Sequence, residues 1–175
     1  MARSKVEDGR TPLRGIAIRM AALAGLVFVA CSAGRDTAQE RSRYGGPEAA
    51  DSLFYHIERT PCFGRCPAYT IDLYRSGYAV YEGRSNVELS GRHTTRFGPR
   101  TLEEILEEAE RIGLFTMQDK YDAQVTDLPT THLHVVSGDR DKTILARYHV
   151  PATLKAFTIH VDSLLLQADW RIEER

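Results

Sequence analysis

The chain has 175 residues, a formal net charge of −1, a hydrophobic fraction of 42% and a charged fraction of 27%. That is one domain's worth of average soluble composition, with or without a targeting segment. It excludes collagen-like, mucin-like and wholly disordered chains; without a run of about 18 apolar residues it excludes a multi-span membrane protein, and the near-neutral charge leaves no footprint for nucleic acid. Residues 1–19 hold Arg3, Lys5, Arg10, Arg14 and Arg19 against Glu7 and Asp8, and Met20–Ala30 is an unbroken apolar run of eleven. A basic region followed by 7–15 apolar residues reads as a secretory signal, here 1–30. A short buried core helix is the other reading, but the run has no polar face.

Cys31 follows Phe28-Val29-Ala30. The arrangement resembles the bacterial lipobox, with Phe28 where leucine is usual, and implies that Cys31 is lipidated and becomes the mature N-terminus. Cleavage by ordinary signal peptidase after Ala33 is the rival. A lipidated Cys31 also accounts for an odd count of three cysteines. Ser32 rather than aspartate follows, so the resemblance implies a protein held in the cell envelope by its lipid, at the outer membrane and facing the periplasm. The mature chain carries 18 basic and 22 acidic residues, which disfavours anionic partners. Residues 31–51 have no period and few large apolar groups, and read as the lipidated cysteine and a flexible tether.

The folded part is 52–175. Leu53–Arg59 alternates, with Leu53, Tyr55 and Ile57 on one face. Tyr69, Ile71 and Leu73 repeat the pattern, Ser76-Gly77 marks a turn, and Tyr78–Glu82 returns, so 68–82 is a hairpin. Val87–Phe97 reads as a polar edge strand with a break at Gly91. Thr101-Leu102-Glu103-Glu104 has the form of a capping box. Leu102, Ile105, Leu106, Ala109 and Ile112 form a helical stripe ended by Gly113 as a left-handed cap. The glutamates at 103, 104, 107, 108 and 110 are either a solvated helix face or an acidic metal-binding surface. Residues 116–130 read as a loop, 131–136 and 143–150 as a second hairpin turning through Gly138-Asp139. Pro151 opens a second helix with Leu154, Phe157, Val161, Leu164, Leu165 and Ala168 buried. The expected fold is one α+β domain of order β-β-β-β-α-β-β-α, an antiparallel sheet with two helices packed on one face.

Pro61-Cys62-Phe63-Gly64-Arg65-Cys66-Pro67 is the most distinctive segment. An extended chain would hold the two cysteine Cα atoms about 13 Å apart, and a disulfide needs less than about 7 Å. A Cys62–Cys66 bridge therefore needs a turn, which Gly64 permits, and export supplies the oxidising compartment. A redox-active pair is a second reading, although the usual motif is C-x-x-C opening a helix. A third is metal: C-x-x-x-C-P resembles the copper motif of cytochrome-oxidase assembly proteins, whose thioredoxin fold the rest of this chain does not match. Arg65, between the cysteines, either offers a held guanidinium to a carboxylate or is merely exposed.

His132 and His134 share one strand face and suit either zinc or copper, or a solvent-facing surface. His56 and His93 stand alone in sequence. Asp127 is either a general base or the residue that fixes the turn before Pro129. No catalytic motif, glycine-rich phosphate loop or paired zinc motif is present, so no catalytic residue, metal or cofactor is assigned.

His56–Tyr69, with its C-F-G-x-C-P core, resembles the opening of a bacterial family of unknown function, the domain numbered 6438. Gly77, Tyr81 and Gly83 fit that family's G-x-x-x-Y-x-G hairpin. Tyr121 with Thr126–Thr131 fits its aromatic and T-D-L-P-T-T stretch, and Trp170 its terminal tryptophan. The resemblance spans about 54–172 and implies a secreted protein or lipoprotein of the envelope, with no activity attached. The expectation is an envelope lipoprotein whose domain is a non-catalytic binding module for an unknown envelope protein or ligand, stapled by Cys62–Cys66. Its alternative is thiol–disulfide or copper handling by that pair, and a third reading is a hydrolase around Asp127 and His132.

Overall fold

The computed structural model describes residues 51–124 and 127–172. The expected signal, Cys31 and the expected tether up to residue 50 lie outside the described residues, as does Thr126. No helix among the described residues is long and apolar enough to cross a membrane.

Among the described residues eight strands form one sheet: β1 Leu53–Arg59, β2 Ala68–Tyr74, β3 Tyr78–Ser85, β4 Gly91–Arg96, β5 Lys120–Tyr121, β6 Thr131–Ser137, β7 Arg140–Ala146 and β8 Arg171–Ile172. The helices are α1, Pro99–Arg111, and α2, Ala152–Leu166. The spatial order is β5-β7-β6-β1-β2-β3-β4-β8. All neighbours are antiparallel except β5 and β7. The fold is α+β, but two expectations need correction. The element order is β-β-β-β-α-β-β-β-α-β, and the sheet is mixed. Two-residue strands such as β5 and β8 are too short to show an alternation, and β8 covers part of β4, which therefore is not the edge.

The alternation of apolar residues builds the core. Tyr55, Ile57, Ile71, Leu73, Ala79, Tyr81, Leu133, Val135 and Ile144 lie on the same sheet face by register, and all are buried. They share one apolar cluster with Ile105 and Ala109 of α1 and with Leu154, Phe157, Val161 and Leu165 of α2. Burying each such side chain contributes roughly 1.5–3 kcal/mol. The alternation in β1 starts at Tyr55 rather than Leu53, because the register shifts between them and Phe54 is buried as well. The opposite face carries His56, Glu58, Asp72, His132 and His134, all partly exposed.

The turns follow local chemistry. Gly77 has φ +83°, and a Cβ there would lie 2.2 Å from the Phe97 carbonyl oxygen. Phe97 N–H donates to Gly77 O at 2.8 Å, closing the β2–β3 turn onto the end of β4. Helix α1 begins two residues before the expected capping box: Gly98 is its N-cap, Pro99 opens the first turn, and no side chain caps it. Proline's fixed φ pre-organises that turn and displaces Thr101 from the cap. Glu108 holds Arg111, and Glu110 holds Arg140. Gly113 follows the helix at φ +69°. Pro151 is the N-cap of α2, so the helix starts at Ala152, one residue later than expected.

Candidate functional site

A cleft of about 560 Å³ opens at the end of the sheet where the C-terminal ends of β1 and β3 lie beside the N-terminal ends of β2 and β6. Its walls come from Cys66 and Pro67, from the β3–β4 loop at Val87 to Leu89, from Pro129 to Thr131, and from Ile159, Asp162 and Leu166 of α2. Its volume is that of a small-molecule pocket, and most of its lining is apolar. Leu89, Ile159 and Leu166 line it although they are substantially exposed, and Phe63 and Leu128 stand on the flanking loops. Five of the seven large exposed apolar residues among the described residues thus line this opening or stand on its flanking loops. Exposed apolar side chains are ordinary when scattered and informative when grouped.

The strand pattern places a polar cluster at the base. Arg59 ends β1 on the core-facing side, level with Tyr69 of β2 and Thr131 of β6. Arg59 Nε donates to Tyr69 Oη at 2.9 Å and to Asp162 Oδ2 at 2.8 Å; Nη1 donates to Thr131 Oγ1 at 3.1 Å, and Nη2 donates to the same Oδ2. Asp162 Oδ1 is buried without a partner among the described residues. Burial lifts the Asp162 carboxyl above the usual carboxylate range, against the downward pull of Arg59. Burial, reinforced by the charge of Asp162, pushes the Tyr69 phenol up strongly. Both directions favour a neutral form over an unshielded charge.

The rim is fastened from several sides. Cys62 and Cys66 form a disulfide with Cα atoms 5.6 Å apart, the turn that Gly64 permits. Asn86 Nδ2 donates to the Cys66 carbonyl at 3.1 Å, tying the β3–β4 loop to the disulfide loop. Thr60 N–H donates to Thr130 O at 2.9 Å, and Thr130 N–H returns to Thr60 Oγ1 at 2.8 Å. Arg147 Nε reaches Thr130 Oγ1 at 2.7 Å. Gly83 lets the loop fold back, since a Cβ there would meet the Leu89 carbonyl oxygen at 1.9 Å. In the cleft wall Tyr81 stacks on Tyr69, centroids 5.7 Å apart, and packs on Trp170 at 5.5 Å.

The candidates read from sequence are not gathered together. Cys66 lines the cleft; Arg65 is exposed on the disulfide loop beside Phe63. Asp127 is exposed with a left-handed φ of 69°. His132 and His134 do share one face, but it is the face opposite the cleft, because Thr131 points the other way. There His134 is the cross-strand neighbour of His56. His56 Nδ1 lies 2.6 Å from Asp72 and His134 Nε2 2.8 Å from Asp141. No group of three or more metal-ligating side chains occurs among the described residues. His93 is buried against Tyr81.

Arg59, Tyr69, Thr131 and Asp162 were not singled out from the sequence. Two signals stood there: Arg59 ends an otherwise apolar strand face, and Asp162 sits inside the apolar stripe of α2. By contrast, several of the residues quoted for the family resemblance meet at the cleft, while Gly77 and Tyr121 lie elsewhere. Cys66-Pro67, Tyr69, Tyr81 with Gly83, and Pro129–Thr131 all line it or shape it.

Fold and site together define a single-sheet α+β domain with a disulfide-bounded, ligand-sized cleft. The chain belongs to the family described as a domain of unknown function (DUF6438), whose profile matches residues 55–165. That span runs from β1 to the last turn of α2 and contains all the cleft's lining except Leu166. No curated protein matches the chain.

Proposed function

We propose that this protein is a binding module of the bacterial cell envelope, held at the outer membrane by a lipid on Cys31 and facing the periplasm, whose cleft takes a small amphipathic ligand or a segment of an envelope partner. One observation carries the reading: a ligand-sized apolar cleft ending on the hydrogen-bonded Arg59–Asp162 pair. The cluster offers directional donors against an apolar wall, which is the composition of a binding pocket. Arg59 and Asp162 neutralise one another, so neither stands as an activated base or nucleophile. The bridged loop and the tie to Asn86 hold the rim in shape before a ligand arrives, which lowers the entropic cost of binding.

The test is binding of the uncharged fluorescent probe N-phenyl-1-naphthylamine to purified protein. Saturable binding that weakens at least tenfold in Ile159→Glu and Leu166→Glu variants supports the cleft. Absence of binding, or binding indifferent to both substitutions, overturns it. The anchor is tested separately. Cys31→Ser should release the protein from the membrane fraction, and retention would count against lipidation.

A second reading, thiol–disulfide or copper handling, has one observation in its favour: Cys66 lines the cleft and would face whatever enters it. A Cys62–Cys66 reduction potential between about −120 and −270 mV would favour exchange, and one below about −300 mV a structural staple.

A further inference from the structure

Resting on the cleft-binding reading, we infer that the ligand carries an uncharged amide head on an apolar body, the head seated between Arg59 and Asp162. The guanidinium has five N–H donors. Three are engaged with Tyr69, Thr131 and Asp162, leaving one on each Nη without a partner among the described residues. Asp162 spends only Oδ2 on Arg59, and its buried Oδ1 accepts from nothing among the described residues. The base therefore holds an unspent acceptor beside unspent donors. A carboxylate torsion is broad, so a small turn presents Oδ1 to the cleft.

Charge decides between head groups. A carboxylate head would pair with Arg59 but meet Asp162 beside it and Glu88 on the cleft wall. An ammonium head would satisfy Asp162 and meet Arg59. An amide gives its N–H to Asp162 and its carbonyl oxygen to Arg59, leaving neither buried group unpaired and adding no charge. Sites whose buried polar groups demand a partner discriminate strongly against ligands that leave them empty. The apolar body then lies along Tyr69, Tyr81, Leu89, Ile159 and Leu166.

Two sources supply that chemistry, a fatty-acyl amide and a polypeptide segment with apolar side chains. The experiment titrates purified protein with octanamide, octanoate, octylammonium and N-acetyl-leucyl-leucinamide. Displacement of N-phenyl-1-naphthylamine is the readout, together with fluorescence of Trp170, the chain's single tryptophan, which packs on Tyr81. The expected result is octanamide binding on the order of tenfold tighter than either charged octyl compound. In Asp162→Asn the discrimination against octanoate should shrink by a similar factor. Tighter binding of the dipeptide amide than of octanamide assigns a polypeptide, and the reverse an acyl amide; both sustain the amide head. Octanoate or octylammonium binding as tightly as octanamide overturns this inference while probe binding leaves the cleft reading in place. If neither the naphthylamine nor any of the four compounds binds, the cleft reading itself falls.

Discussion

Substituting Gly83 by alanine tests how the cleft wall is held. The new Cβ would lie 1.9 Å from the Leu89 carbonyl oxygen and 2.9 Å from both Cε1 and Oη of Tyr81. Real Cβ atoms essentially never approach closer than 3.0 Å, so a gap of about 1.1 Å must open at Leu89. The atom in the way is backbone, so no rotamer change relieves it. If strand and loop both hold, the overpacking costs about 1–3 kcal/mol, which for a domain of this size is roughly 4–12 °C in Tm. If the loop gives way, the melting temperature moves less, but Leu89 leaves the wall and the Asn86 tie to Cys66 is pulled apart. Thermal unfolding and naphthylamine binding, measured on one preparation, separate the branches: the first lowers Tm, the second weakens the probe severalfold. A Gly83→Ala protein with both values unchanged would refute the close approach of loop and strand.

Three further outcomes are expected. Arg59→Met strands a carboxylate in a wall where the two side chains are only 21% and 13% exposed; it should lose about 3 kcal/mol in urea unfolding. The double variant Arg59→Met/Asp162→Leu should recover most of that, and a double variant no better than the single would show the pair is not the cause. The pH dependence has a definite sign. Asp162 titrates higher in the folded chain than its unfolded value near 4, so its contribution favours the folded state below that value and is lost as pH rises through the folded one. The stability of wild type relative to Asp162→Asn should therefore fall from about pH 4 upward and then level; a rise would mean that Arg59 outweighs burial. Finally, Cys62→Ser/Cys66→Ser releases a five-residue loop and should cost roughly 2 kcal/mol in the chain-entropy account, read by urea unfolding; an unchanged midpoint would show that the turn keeps its shape without the bridge.

The strands of the two hairpins and the stripes of both helices were legible because each buries one face, so its period shows in the residues. Leu154, Phe157, Val161 and Leu165 are buried as the stripe required. Thr101 misled because a capping box is a local preference, and Pro99 two residues earlier fixed the first turn instead. Strands β5 and β8 were invisible: what makes Lys120 and Arg171 strand residues is the neighbour they pair with, Leu145 and Thr94. The site was less legible than the fold. Arg59, Thr131 and Asp162 are 103 positions apart at the extremes, and no local pattern announces that the sheet brings them together. His132 stood out only by type, and a shift of one residue along β6 separates it from the cleft on the other side of the sheet.

The strand order has a consequence for how the molecule assembles. β1 to β4 are joined by short connections, and β6 to β7 by a two-residue turn, so each group can form early from neighbours in sequence. Their union, β1 against β6, matches Tyr55 with Val135, and the entropy of closing so long a loop must be spent before the pairing returns anything. That seam is where Arg59 meets Thr131, with Asp162 arriving on a helix later still. A chain truncated before residue 131 would hold the disulfide loop and four strands yet own no cleft, and mutations along the seam should slow folding more than equally disruptive ones inside either hairpin.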